Sequence, residues 1–410
     1  MTVINVDSGT PNNTMRLRKW NAYVFNILLS VGAKFIFIIP FAAILLFKSK
    51  DTKVNLSKTL ARALIVSLPM LIILTMLSLY SIASGNSLDF VFFEARDVFI
   101  AIFLLSIMIA ATRNEFDTHR MVASVEKVVA FIGLIKVGMI LYCALTGMSL
   151  YLMVKGLSEF MGWTLQSYTT SVNFIARVQF PYDCIIPLVL FFSFSKLLQG
   201  DGNRKERLLV ISLILISVFF TMSRAFWALS LVMIFTAVLL NSSMKKIFTF
   251  FAMAFVSLLI VYFSASRYID EAVSSRINAE TNYSSDSYRI MQNNKLINKF
   301  DSAPMLGKGI GYFIPDFTRA VGDARYTYES QLLSMFMKIG LLGVIALFGS
   351  FIYTCFAYDD SYKNKPIKKI MIKCIMILSW LGMGAVNPLL FVTNGAMMLY
   401  LASRTNYFIK

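Results

Sequence analysis

The chain is 410 residues long, 57% hydrophobic and only 15% charged, with a mean hydropathy of +0.68. A water-soluble chain of this length needs far more polar surface to cover its core, so a soluble multidomain protein is excluded. The formal net charge of +17 would suggest nucleic acid in a soluble protein, but here the basic residues sit in short loops between apolar runs, and no nucleic-acid partner is expected.

Residues 1–15 are polar and carry no early apolar stretch with a small-residue cleavage site, so no cleavable leader is expected. The hydrocarbon layer takes about 20 helical residues at about 1.5 Å each. Apolar runs of that order predict spans near 63–83, 95–112, 128–149, 178–195, 208–222, 225–242, 247–263, 331–357, 371–386 and 388–403. Segment 22–47 is a further candidate; it contains Lys34 and Pro40, and reads either as one tilted helix or as a broken, re-entrant pair. Ser223-Arg224 is the only polar break between the spans at 208–222 and 225–242. The expected fold is an all-α polytopic membrane protein of about eleven (ten to twelve) transmembrane helices. It forms a single integral membrane domain over 1–410, with one long hydrophilic loop at 264–330. Cys143, Cys184, Cys355 and Cys374 all fall in apolar stretches, which argues against a disulfide framework and against a CxxC metal site.

Lys and Arg concentrate in the cytoplasmic loops of membrane proteins. Alternating sides from residue 48 onward puts the basic clusters within 48–62, 113–127, 196–207, 245–246, 363–373 and 404–410 on one side. The short loops of the other side carry only Arg96, Lys155, Arg177 and Arg224. The first side is therefore read as cytoplasmic, and loop 264–330 as lying outside. A single helix over 22–47 would place Arg16, Arg18 and Lys19 outside, against the rule, which keeps the re-entrant alternative open.

The outer side holds the distinctive residues. Segment 150–177 is aromatic and polar, with Tyr151, Trp163 and Tyr168, and reads equally as an interfacial belt. Arg96, Arg177 and Arg224 each sit at the outer end of a different span. An arginine near the bilayer is costly unless paired or hydrated. Each alone is explained by snorkelling to headgroups. Three together fit a shared anion site better, because guanidinium forks bind phosphate oxygens bidentately. The single histidine, His119, falls in a cytoplasmic loop, which removes histidine chemistry from the outer side. Glu329 immediately precedes a span. The plainer reading is a carboxylate favoured by the helix dipole; the sharper one is a general base at the membrane edge. Segment PMLGKGIGYFIP at 304–315 places Gly307, Gly309 and Gly311 between prolines. It lacks the strand-and-helix context of a nucleotide loop, so a tight turn permitting close backbone approach is expected. No Walker motif, metal-ligand spacing or internal repeat is present, and a repeat would have supported a transporter.

The motif order from Ser223 onward resembles a known family. Ser223-Arg224 is followed by Phe226-Trp227; Arg289 lies in SYRIMQNNKLINKF; P-x-x-G-x-G-x-G-x-F occupies Pro304–Phe313; and Tyr328-Glu329-Ser330-Gln331-Leu332-Leu333 leads into Gly340-Leu341-Leu342-Gly343. This series resembles the O-antigen polymerase (Wzy-type) and O-antigen ligase superfamily over residues 221–343. The resemblance implies a GT-C-like membrane glycosyltransferase acting on undecaprenyl-diphosphate-linked oligosaccharides at the periplasmic face of the bacterial inner membrane. It further implies a chain-length regulator as a partner besides membrane lipids; no cofactor is expected. The ligase branch usually carries a histidine where this chain has Tyr328-Glu329, a departure that favours polymerase. On this reading Glu329, Arg224 and Arg289 are the expected catalytic residues. Arg177, Arg96, Arg276, Arg319, Arg325 and Tyr328 are expected to bind diphosphate or glycan, and no metal is required. The rivals are a ligase, which differs in its acceptor, and a transporter of lipid-linked sugars, for which Lys136 and Lys338 are the candidate buried charges.

Overall fold

The computed structural model describes residues 19–31, 52–112, 114–161, 173–242, 279–317, 324–358 and 366–408. The expected span at 247–263, most of 22–47, Arg276 and Arg319 lie outside them. The described residues form helices α1 (Lys19–Ser30), α2 (Thr52–Ala83), α3 (Leu88–Ala111), α4 (Glu115–Thr146), α5 (Leu150–Met161), α6 (Ile186–Leu198, entered through a 3-10 turn at Pro181–Ile185), α7 (Arg204–Phe220), α8 (Arg224–Asn241), α9 (Ala279–Asp301), α10 (Gln331–Ala357), α11 (Pro366–Val386) and α12 (Thr393–Ser403). Among them six stretches are long and apolar enough to cross a membrane: Ser57–Ala83, Glu115–Thr146, Pro181–Leu198, Arg224–Asn241, Gln331–Ala357 and Ile367–Val386. The chain is a polytopic membrane protein, and the elements of its described residues are helices.

Local chemistry sets the helix ends. Asn114 caps α4 by accepting the Asp117 amide at 2.7 Å, with Glu115 and Asp117 in the first turn, and the helix stops at Gly147 in the left-handed region (φ 70°). Asn203 caps α7 through the Lys205 amide at 3.0 Å. The expected break between the spans at 208–222 and 225–242 is present, and it turns through Met222 at φ 45°.

Burial separates the centre from the lipid face. In Pro181–Leu198, 83% of residues are buried, against 28% of the most apolar stretch of Ser57–Ala83. On α2 the exposed residues include Leu64, Ile65, Leu68, Ile72, Met76 and Leu79, an apolar stripe at helical spacing that suits hydrocarbon rather than water.

The structure adds detail to three segments. Within 264–330, α9 occupies 23 residues. The helix is polar, and the face it buries carries Gln292 beside Leu296, so hydropathy does not reveal it. The stretch expected at 388–403 forms only the 11-residue α12, about 16 Å long and buried throughout Asn394–Ser403. Segment 150–177 begins with α5, whose buried residues are Leu150, Val154 and Ser158.

Side-chain contacts collect the helix ends into two groups. At one end Arg404 donates to the carbonyls of Ile109 and Tyr358, both at 3.0 Å. Lys196 and Arg207 meet Glu126 at 2.7 and 3.8 Å, and Gln199 donates to Asn241 and to the Phe408 carbonyl. This is the end of the basic loops. The ends bearing Arg96, Arg177, Arg224 and Glu329 lie at the other, as the alternation of charge predicts.

Candidate active site

The glycine segment and the start of α10 interlock. Near its N-terminus α10 breaks at Gly340 (φ 62°, ψ −176°), which frees backbone groups. The amides of Lys308 and Gly309 donate to the carbonyls of Met337 and Lys338 at 2.9 and 2.6 Å. In return the amides of Leu341 and Leu342 donate to the carbonyls of Pro304 and Met305 at 2.8 and 3.1 Å. A Cβ on Gly307 would sit 2.3 Å from the Lys338 oxygen, and one on Gly340 would sit 2.3 Å from the Met305 oxygen. The two glycine motifs are therefore halves of one crossing, and the expected close backbone approach is what they provide.

The same segment is tied to α2 and α3. Tyr80 donates to the Gly307 carbonyl at 3.1 Å and Asn86 to the Lys308 carbonyl at 2.8 Å, while Ser81 accepts the Ile310 amide at 2.6 Å. Glu94 accepts the Gly311 amide at 2.7 Å through Oε2 and Lys338 Nζ at 2.5 Å through Oε1. Lys338 also donates to the Tyr326 carbonyl at 2.7 Å. Lys338 is 1% and Glu94 7% exposed, so each needs the other to be buried at all. Lys136 is likewise fully buried, donating to Asp183 at 2.7 Å and to the Ser217 carbonyl at 3.1 Å. Both lysines that a transporter would have used are thus engaged in ion pairs that join separate helices.

Just before the span, Tyr328 is 2% exposed, packs with Leu296, Ile314, Phe317 and Met337, and its hydroxyl accepts the Ile314 amide at 2.7 Å. Burial pushes the hydroxyls of Tyr326 and Tyr328 up to about 12. Tyr328, expected from sequence to bind glycan, is thus buried beneath the segment and supports it.

Arg224 is set by the turn between α7 and α8. The carbonyls that end α7 are taken from three directions. Trp227 Nε1 donates to those of Val218 and Phe219 at 3.0 and 3.2 Å, the Val178 amide to that of Phe220 at 2.9 Å, and Arg177 Nε to that of Thr221 at 3.2 Å. Trp227 also stacks on Phe219 at 5.9 Å. Arg177 further donates to Gln179 at 2.5 Å and is only 8% exposed, so it builds the turn on which Arg224 stands. Arg224 itself opens α8 and remains 42% exposed. A cation at a helix N-terminus opposes the dipole, so its placement there calls for an anion.

The anion comes from α9. Asp286 accepts from both terminal nitrogens of Arg224, at 2.7 and 3.2 Å. Its Oδ1 lies 3.9 Å from Nη1 of Arg289, three residues on, and Arg289 Nε donates to Glu329 Oε2 at 2.7 Å. The Glu329 amide leans on Gln292 Oε1 at 3.4 Å; Gln292 is 1% exposed, and its Nε2 has no hydrogen-bond partner among the described residues. Arg224, Asp286, Arg289 and Glu329 thus form one ladder of alternating charge from α8 across α9 to α10. Exposed pairs of this kind contribute only about 0.2–1 kcal/mol each, so stability does not explain the arrangement. An open groove of about 420 Å³ continues from Asp286 along α9, past Tyr283, Ser287, Ile290, Asn294, Lys295 and Asn298.

The structure therefore brings together Arg224, Arg289 and Glu329, and adds Asp286 and Gln292, which sequence reasoning did not select. Asp286 was one acid among many in the long loop, and only its i,i+3 spacing to Arg289 hints at a role. Arg96 does not join them: it pairs with Asp97 at 2.9 Å and lies 5.3 Å over the Phe93 ring. Arg325 lies in an exposed turn before Tyr326.

Comparison with known families now bears on this ladder. The family described as O-antigen ligase has a model that matches residues 209–348. This segment belongs to the O-antigen polymerase/ligase superfamily. No curated protein matches the chain. The superfamily domain starts within α7 and ends within α10, so it encloses Arg224, Asp286, Arg289, Glu329 and the glycine crossing. The chain is accordingly a multi-pass membrane protein with a segment of the O-antigen polymerase/ligase type over residues 209–348.

Proposed function

We propose that the protein is a polysaccharide polymerase. It transfers a growing glycan from undecaprenyl diphosphate onto the terminal sugar of a second lipid-linked repeat unit, at the periplasmic face of the bacterial inner membrane. The observation that carries this reading is the ladder, which aligns two guanidinium groups with a carboxylate across α8, α9 and the start of α10. A hydroxyl of the acceptor sugar attacks the anomeric carbon of the donor. The bond from that carbon to the diphosphate oxygen breaks, and undecaprenyl diphosphate leaves with the electron pair. Arg224 and Arg289 stabilise the charge that develops on the diphosphate, as preorganised donors do. Glu329, held by Arg289, accepts the proton of the attacking hydroxyl. Arginine charge supplies the electrostatic stabilisation here, and the reading invokes no metal.

The groove along α9 supports a glycan path, since amides, a hydroxyl and an aromatic ring are the groups that sugars meet. Polymerase is preferred to ligase because His119 lies at the basic-loop end, its ring 4.3 Å from that of Phe408, while Glu329 occupies the place of the ligase histidine. A chain-length regulator is expected as a partner by resemblance alone.

The direct test is incubation of the purified protein with one synthetic lipid-diphosphate repeat unit, read as a ladder of products. Arg224→Ala and Arg289→Ala should each lower the rate about 10²–10³-fold. Normal rates in both, at normal protein levels, would refute the assignment. In cells, loss of a polymerase leaves single repeat units on the lipopolysaccharide core, whereas loss of a ligase leaves none.

A further inference from the structure

We propose that Asp286 is an exchangeable counter-anion of the diphosphate site: its carboxylate holds the anion position between Arg224 and Arg289 and gives way when a lipid diphosphate binds. This rests on the polymerase reading and deepens it by naming the group the substrate must displace.

The geometry carries the inference. Asp286 meets Arg224 as a fork, 2.7 Å from Nη2 and 3.2 Å from Nη1, the same two-point arrangement by which guanidinium groups take phosphate oxygens. Its Oδ1 also faces Arg289 at 3.9 Å, so one carboxylate lies where a phosphate bridging both arginines would lie. The side chains of Arg224, Asp286 and Arg289 are 42, 41 and 35% exposed, so an incoming anion reaches them without unfolding anything. Exchange is favourable in sign, because a diphosphate brings more negative charge and more acceptor oxygens than the carboxylate it replaces. Arg289 remains tied to Glu329 through Nε during the exchange, which keeps the acceptor base beside the donor. The displaced Asp286 side chain lies at the wall of the α9 groove.

The consequence is opposite in sign to that of a merely structural ion pair. If Asp286 only anchored α9 to α8, removing its charge would loosen the site and weaken binding. As a competing anion, its removal strengthens binding, because the arginines no longer have to be freed first.

The experiment measures binding of geranylgeranyl diphosphate to the purified full-length protein in uncharged detergent, with inorganic pyrophosphate and phosphatidylglycerol as competitors. Asp286→Asn and Asp286→Ala should bind about two- to fivefold tighter, the range an exposed pair allows. Their KM for the lipid substrate should fall, and their kcat should fall with it because the product diphosphate is released more slowly. Arg224→Ala should bind more weakly. Competition by pyrophosphate but not by phosphatidylglycerol supports a diphosphate site, and equal competition by both would overturn that assignment. Unchanged or weaker binding in both Asp286 variants, with Arg224→Ala weakened, overturns the counter-anion role and leaves the arginine clamp standing. Undiminished binding in Arg224→Ala overturns the clamp itself, and the counter-anion role falls with it.

Discussion

Replacing Gly307 with alanine tests whether the crossing of the glycine segment and α10 organises the site. Gly307 has φ +72°, and its added methyl would lie 2.3 Å from the Lys338 oxygen and 2.5 Å from the Gly340 nitrogen. Both are backbone atoms, so no rotamer change relieves the clash. The left-handed backbone alone costs an L-residue about 1–2 kcal/mol. If α10 backs away far enough to lose two of the four exchanged hydrogen bonds, about 1 kcal/mol each is added. The total is about 3–4 kcal/mol, a large part of a typical stability of about 5–15 kcal/mol. Gly349→Ala is the control, because nothing lies within 4 Å of its Cβ position and it sits in regular helix, where alanine is neutral or favourable. Thermal unfolding in detergent should show a clear drop for Gly307→Ala and none for Gly349→Ala. The Gly307 variant should also lose glycan transfer beyond its loss of stability, since the crossing fixes the segment that carries Glu329. Equal unfolding temperatures and equal transfer rates in the two variants would refute the reasoning.

The Lys338–Glu94 pair should behave as a buried ion pair. Lys338→Met or Glu94→Gln alone leaves a buried group uncompensated and should cost about 3–5 kcal/mol, while the double variant should recover part of it, as read by thermal unfolding. Alkali should act on the same region. Burial raises the Tyr326 and Tyr328 hydroxyls from 10 to about 12, so the fold favours their neutral forms. The stability they contribute is complete below pH 10 and is lost as pH rises from 10 towards 12, and Tyr326→Phe should reduce that loss in a pH series of unfolding curves.

Much of the site could be read from the chain because its parts are local motifs. Arg224 belongs to the only polar break between two apolar runs. Gly307, Gly309 and Gly311 lie between prolines in a way that only a left-handed turn explains, and all three have positive φ. Glu329 directly precedes a span. Each signal lies within a few residues, where spacing and residue type carry meaning. Arg177 and Tyr328 show where the same logic stops: a cation or a phenol at the membrane edge looks fully available to a ligand until its partner in the fold is known. Their partners, the Thr221 carbonyl and the Ile314 amide, are backbone groups that any residue could supply.

Amino-acid sequence by itself determined the membrane-embedded class, the two sides of the bundle and the residues of unusual chemistry, because hydropathy and charge act over a single helix or loop. Tertiary structure alone decided the pairings. Arg224 meets Asp286 across 62 residues, Arg289 meets Glu329 across 40, and Lys338 meets Glu94 across 244. An ion pair has no periodicity along the chain, so nothing in the spacing of those residues announces it. The inner face of α9 was hidden for the same reason, since a helix that sets Asp286, Arg289 and Gln292 beside a single fully buried Leu296 shows no apolar stripe until its partners fold against it.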